Sequence, residues 1–538
     1  MKKFNIKLTI LGAIILILLG TTLFAREITT YQVNGQPVEA VKGELLVKFK
    51  TDVSLEAKTQ NITAHGAKKI GQLRNIGVTK LSVPDHSLEK VLEDLEIDPD
   101  VEFAEPNYIY TTQQKFPEIY NDAHELEDNQ WGLHKIDAHF GWDIETGNGE
   151  VVVAVIDSGV DLDHRDLQEN IWHNPDEEET GTDTAGNGYV DDLWGWNFVD
   201  NDNDPNPDSA HIADGEGHGT HVAGIAGATG ENEVVGVSWT NKIMALRALA
   251  YDSVNISGNT ADIAEAINYA ADNGAHIINL SLGGDEHASS LELAVDFAYD
   301  AGCVLVAATG NSGREAVAYP AKYDNVIAVG ATDSNDNRAS FSTYGEELDL
   351  MAPGVDIRST YPGDSTYEDS GTSMATPFVA GLASLMVSYY QQEGTSWDPA
   401  AIKDILIMNT IGLNGDGYPD WDLETGYGRI NNYYVMNFLE GGGFAIDPVE
   451  PISFPNPFNP HLRSVRLNLS KKNTGSIKDY KIFSLSGKEV RSESGQSGSY
   501  VNWDGKNSGG QLCSTGLYFF QLITYEGEVE TGKVTILR

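Results

Sequence analysis

Val151 to Ile156 is an unbroken run of β-branched and small apolar residues that stops at Asp157-Ser158-Gly159. An apolar run without polar alternation predicts a central strand of a parallel sheet, buried on both faces. Val304 to Val306 is a second such run, followed by Ala307-Ala308-Thr309-Gly310. Two segments rich in small residues follow His218 (Ala223, Gly224, Ala226, Gly227) and Ser373 (Ala375, Ala380, Gly381, Ala383). Small residues at these positions predict helices packed closely on their neighbours, the second entered by Pro377 within its first turn. The fold class these elements predict is α/β with a parallel sheet.

The pattern changes on either side of this core. Lys2 and Lys3 precede an apolar stretch of 17 residues, Leu8 to Phe24, and Ala25 offers a small residue for cleavage. That reads as a secretory signal peptide over 1–25, although the same run reaches the lower limit for an uncleaved membrane anchor. Over 26–112, Gly43 to Lys50 alternates like a strand, Leu88 to Leu95 has helical spacing, and Asp98 to Tyr108 ends in another strand. A small α+β module is expected there. Gly441-Gly442-Gly443 marks a linker after a central domain spanning 129–440. Beyond it, over 447–538, short alternating runs such as Ser464 to Leu469 and Tyr480 to Leu485 are separated by Ser486-Gly487-Lys488 and Asp504-Gly505-Lys506-Asn507. These predict a small β-sandwich.

Composition narrows the partners. The 538 residues include 80 acidic and 35 basic side chains, a formal net charge of −45, which argues against nucleic acid. Such a surface suits saline surroundings or bound calcium. The two cysteines, Cys303 and Cys513, fall in different expected domains and are not expected to pair.

Asp157, His218 and Ser373 lie in Val153-Ala154-Val155-Ile156-Asp157-Ser158-Gly159, His218-Gly219-Thr220-His221-Val222-Ala223-Gly224 and Gly371-Thr372-Ser373-Met374-Ala375-Thr376-Pro377. A serine hydroxyl becomes a useful nucleophile when a histidine takes its proton and a carboxylate holds that histidine in the right tautomer. Asp157 falls at a strand's carboxyl edge, where open α/β sheets place their sites. His218 and Ser373 fall at helix N-termini, where backbone N–H groups favour developing negative charge. The motifs, and the chain order Asp, His, Ser, resemble those of subtilisin-like serine peptidases.

That resemblance implies further roles. Asn311, in Ala307-Ala308-Thr309-Gly310-Asn311-Ser312-Gly313, matches the family's side-chain donor to the oxyanion, with the Ser373 N–H as the second donor. Ser281, Leu282 and Gly283 match the edge segment on which an extended substrate adds itself as a strand. Ala318, before Tyr319-Pro320, falls where the family commonly has Gly in the S1 wall, so medium apolar P1 residues are expected. The 26–112 module resembles an inhibitory propeptide, removed by self-cleavage between Thr111 and Asp128; a permanent extra domain is the other reading.

Calcium is the cofactor expected. Gln130, Asp166 and Asn232 match the family's strong calcium site. Asp183 to Asp192 resembles a calcium loop, with Asp183, Asn187 and Asp191 as ligands; Ala185 and Trp194 stand where two further ligands belong, and a plain acidic turn is the alternative. Asn414 to Asp422 is a similar segment. Ser453 to Pro460, Trp503-Asp504-Gly505 and Ser514 to Phe520 resemble an FlgD-like immunoglobulin module and type IX secretion sorting domains, against an inert spacer or carbohydrate-binding module. The expected protein is a self-processing endopeptidase, secreted or at the cell surface by bacterial-type export. Its partners are protein or peptide substrates, its own propeptide, and secretion machinery or a surface attachment through the C-terminal module. A catalytically silent scaffold is the rival reading, and the intact triad with Asn311 disfavours it.

Overall fold

The computed structural model describes residues 27–33, 35–112, 130–413, 421–442, 453–454, 465–468, 476–484, 488–496, 500–514, 516–525 and 527–536. The expected signal peptide, most of the expected cleavage stretch (113–129), residues 414–420 of the second acidic segment, Gly443, Pro455 to Pro460 and Ser486-Gly487 lie outside them.

The chain divides into two compact units: Met1–Gln72, Thr79–Ile109 and Asp252–Val254 form the smaller, and Leu73–Val78, Tyr110–Tyr251 and Asn255–Arg538 the larger. In the smaller unit the long strand Gln36–Phe49 pairs antiparallel with Ile28–Val33 on one side and with Val101–Thr112 on the other. The helix Leu88–Glu96 buries Leu88, Val91, Leu92 and Leu95, an i, i+3, i+4, i+7 stripe. A second helix, Leu55–Ala64, opens on Ser54, whose side chain accepts from the Ala57 N–H. This is the small α+β arrangement expected, and the strand Gln36–Phe49 is longer than the alternation of Gly43 to Lys50 suggested.

The larger unit is built on a seven-stranded sheet. Its spatial order is Leu350–Pro353, Val326–Thr332, Val304–Ala308, Ile277–Leu280, Val152–Asp157, Lys242–Arg247 and Gly195–Asn197. Every neighbouring pair is parallel, and Val152–Asp157 lies inside the sheet, buried throughout. Val153, Val155, Ile243, Ala245, Val304, Val306, Ile327 and Val329 join Val222, Ala226, Val379, Leu382 and Met386 in one buried cluster. One face of the sheet is thereby sealed by the helices His218–Gly227 and Thr372–Gln392. Close packing of those two helices needs glycine: a Cβ on Gly381 would stand 2.9 Å from Ala226 O and 2.6 Å from Val237 Cβ.

The described residues beyond 452 form two antiparallel sheets, one of three strands and one of four, around Trp503, Tyr480, Ile482, Phe520, Leu522 and Val534. This is a β-sandwich. Cys303 and Cys513 are both free and buried. Among the described residues no helix is long and apolar enough to cross a membrane.

Candidate active site

Asp157 is the last residue of its strand and is fully buried. Its Oδ1 accepts the Ser158 N–H at 2.7 Å and faces His218 Nδ1, also at 2.7 Å. The approach depends on Gly219, the residue after His218. A Cβ there would meet Gly159 O at 2.3 Å and Asp157 Cβ at 3.0 Å, so any side chain would push the helix away from the strand. Ser158 ties the two segments from the other side, its hydroxyl donating to Glu216 O at 2.9 Å and accepting the Gly219 N–H at 3.1 Å.

His218 is completely enclosed, which by itself disfavours its charge. The Asp157 carboxylate, with a smaller contribution from Asp369, outweighs that burial and raises the imidazole pKa above its ordinary value. Nδ1–H donates to the carboxylate, and Nε2, buried without a hydrogen-bond partner, is left as the basic nitrogen.

Ser373 is the second residue of the helix Thr372–Gln392. Its Oγ donates to Ser281 O at 3.0 Å, and the Ser281 hydroxyl donates back to Ser373 O at 2.9 Å. Asn279 Nδ2 holds the Ser281 hydroxyl at 2.9 Å. Pro377 stands in the second helical turn, not the first as the sequence suggested. Having no N–H, it leaves the carbonyl four residues back, that of Ser373, without its helical donor, and Ser281 supplies one.

Asn311 lies on the loop after the strand Val304–Ala308. Its Oδ1 accepts from Thr372 N at 3.0 Å and Thr372 Oγ1 at 3.1 Å, which fixes Nδ2 as the donor end of the amide. Ala318 is buried beside the same loop, its N–H on Thr309 O at 3.0 Å. Leu282 and Gly283 form a two-residue strand paired antiparallel with Thr112 and Thr111. The neighbouring Tyr110 is fully buried, and its hydroxyl donates to Glu286 O at 2.9 Å. The sequence did not single out Ser158 and Thr372; each is a hydroxyl residue adjoining Asp157 or Ser373, and that adjacency was the available signal.

Gln130, Asp166 and Asn232 come together around the loop 232–235. Asp166 Oδ1 accepts from the Asn232 backbone at 2.8 Å and its side chain at 3.1 Å, and Oδ2 accepts from Glu233 N at 3.0 Å. Gln130 exchanges hydrogen bonds with Val235 at 2.7 and 3.0 Å. Burial opposes the Asp166 charge, but these donors outweigh it and hold the carboxyl below its ordinary pKa. One carboxylate with two side-chain amides is an oxygen donor set of the kind a hard cation takes.

Asp183, Asn187 and Asp191 are arranged differently. Asp183 accepts from the N–H groups of Gly186, Asn187 and Gly188, whereas Asp191 accepts from those of Thr180 and Gly181. Asn187 Oδ1 accepts from Tyr189 N at 2.9 Å. The two carboxylates thus close different turns, and among the described residues no three His, Cys, Asp or Glu side chains cluster to hold a metal.

An imidazole gripped by a carboxylate on one nitrogen and bare on the other, on the same sheet edge as a serine heading a long helix, is the equipment of a serine hydrolase. The peptidase S8 (subtilase) family matches residues 148–428, more than half of the chain, and the protein belongs to that family. Residues 27–107 match the fervidolysin N-terminal prodomain. The chain is 37% identical over 415 residues to the thermophilic serine proteinase of Bacillus sp. (strain AK1), covering 77% of this chain and 92% of that protein. It is 43% identical over 320 residues to thermitase of Thermoactinomyces vulgaris (59% and 99% covered) and 38% over 365 residues to halolysin of Haloferax mediterranei (67% and 62%). The protein is a subtilisin-like serine endopeptidase made with an N-terminal prodomain.

Proposed function

We propose that Ser373 is the nucleophile, His218 its general base, Asp157 the group that orients the imidazole, and Asn311 with the Ser373 N–H the oxyanion donors. The observation that carries this reading is the 2.7 Å contact of His218 Nδ1 with Asp157, which leaves Nε2 basic. Ser373 Oγ turns from Ser281 O, gives its proton to Nε2 and attacks the substrate carbonyl, and the oxyanion is met by Asn311 Nδ2. The imidazolium then protonates the leaving amine as the C–N bond breaks, and water removes the acyl group by the same route in reverse. Leu282 and Gly283 bind the extended substrate, with Ser281 and Ala318 beside it. The strand end Thr111–Thr112, seated on that edge, supports a prodomain tail that inhibits by occupying the substrate's place.

Calcium at Gln130, Asp166 and Asn232 is supported by these three oxygen-bearing side chains meeting at one loop; the ion would brace that loop and takes no part in bond breaking. Export is supported by the N-terminal Lys-Lys and apolar run, with the mature enzyme acting outside the cell and the domains divided at about 25, 112, 129, 440 and 447. The C-terminal sandwich is read as an FlgD-like sorting or attachment module. The test is a fluorophosphonate probe: it should label wild type and not Ser373→Ala, and equal labelling of both would refute the assignment.

A further inference from the structure

Glu216 lies two residues ahead of His218 and is only 1% exposed, yet none of the chemistry above uses its carboxylate. An acid so enclosed needs partners, and it has them. Oε1 accepts the Tyr251 N–H at 2.6 Å, and Oε2 lies 3.6 Å from Nη2 of the buried Arg247, whose Nη1 is 2.8 Å from Asp200 Oδ2. Burial pushes the Glu216 pKa up, and Arg247 opposes that push.

The backbone of Glu216 belongs to the triad's framework, because its carbonyl accepts the Ser158 hydroxyl that also holds Gly219. Its side chain reaches a different structure. Tyr251 pairs with Ile256, and Ala250 with Ser257, in a short antiparallel hairpin. The N–H groups of Ala248 and Leu249, just before it, donate to Asp157 O at 2.9 and 3.1 Å. In the strand order, Ile256–Asn259 and Leu282–Gly283 are both neighbours of the strand Val101–Thr112, the latter at its end, Thr111 and Thr112. The hairpin and Leu282–Gly283 therefore border the same strand, whose end lies on the edge assigned above to an extended substrate.

We propose that Glu216 is a positioning residue: by bridging the His218 segment to the backbone of Tyr251 and to Arg247, it sets the hairpin as the second wall of the substrate groove and governs binding of extended chains. The inference rests on the catalytic reading of Ser373 and His218, and it concerns substrates long enough to meet both walls.

The test compares two substrates on the self-processed protein: a tetrapeptide amide that fills the acyl-side groove and a single-residue acyl ester that does not. Glu216→Ala should raise KM for the tetrapeptide amide at least fivefold and leave kcat/KM for the ester within twofold. Glu216→Gln keeps an oxygen for the Tyr251 N–H and should recover most of the loss. If Glu216→Ala does not fold, Glu216→Asp, too short to reach Tyr251, replaces it with the same expected split. Equal losses on both substrates, no loss on either, or a Gln variant as impaired as the Ala or Asp variant would overturn the proposal. Absence of ester hydrolysis by wild type would instead strike at the catalytic reading.

Discussion

Ser373 and Ser281 each donate a hydroxyl to the other's backbone carbonyl, at 3.0 and 2.9 Å. The Ser373 carbonyl, freed by Pro377, is thus served by one side chain, that of Ser281, between the strands Ile277–Leu280 and Leu282–Gly283. Ser281→Ala strands that buried carbonyl, at a cost of about 1–3 kcal/mol. The expected outcome is a lower urea midpoint together with a fall in kcat larger than any change in KM; Ser281→Thr, which keeps a hydroxyl, should recover part of both.

If Ser373 and His218 act as one unit, replacing either with Ala should remove nearly all turnover, and the double variant should be little worse than either single. Losses that add would separate the two residues. The raised His218 pKa has a matching signature: the base is protonated, and inactive, at a higher pH than an ordinary histidine. The acid limb of kcat/KM should therefore lie above about 6.5, and Asp157→Asn should move it to lower pH in whatever activity remains.

His221 is the opposite case. Burial drives its pKa down to about 3, with Nε2 on Tyr367 O at 3.0 Å. Between about pH 6.5 and 3 the unfolded chain binds a proton at this position that the folded chain refuses, so stability falls as the pH falls. Melting temperatures from pH 7 to pH 4 should decline more steeply for wild type than for His221→Asn; parallel curves would remove His221 from the account.

Self-processing predicts that Ser373→Ala accumulates as a precursor retaining the residues up to Thr112, whereas wild type loses them at a bond between Tyr110 and Asn129. N-terminal sequencing of both products in a protease-free host checks this. Normal maturation of the Ala variant would assign the cut to another enzyme.

A cation that binds only the native state stabilises by about 2.7 kcal/mol at a hundredfold excess over its dissociation constant. Millimolar EDTA should therefore lower the melting temperature and hasten autolysis of wild type, and Asp166→Asn should show a much smaller response. No response in either would leave the acidic surface as an adaptation to salt.

The parallel sheet was legible because fully buried strands read as continuous apolar runs, as at Val151 to Ile156, and the β-sandwich because its strands alternate. Asp157, His218, Ser373 and Asn311 were singled out by the resemblance of their motifs to the family's, and the close backbone approach at Gly219 shows why one of those motifs needs so small a residue. The acidic insertion was less so. Asp183 and Asp191 have the spacing of a metal loop, but a carboxylate is equally served by turn N–H groups, and sequence does not say which donor reaches it first. Nor could it show that the Ser281 hydroxyl reaches the Ser373 carbonyl, since that depends on a carbonyl left open by a proline four residues on.

The pairing of Thr111 and Thr112 with Gly283 and Leu282 has a consequence for the chain's own solubility. A short strand with unpaired N–H and C=O groups is a template for any other extended polypeptide, and in a crowded secretory route that means aggregation. Here the edge is closed from within the same polypeptide, so the N–H and C=O groups of Leu282 and Gly283 are not bare while Thr111 and Thr112 remain attached.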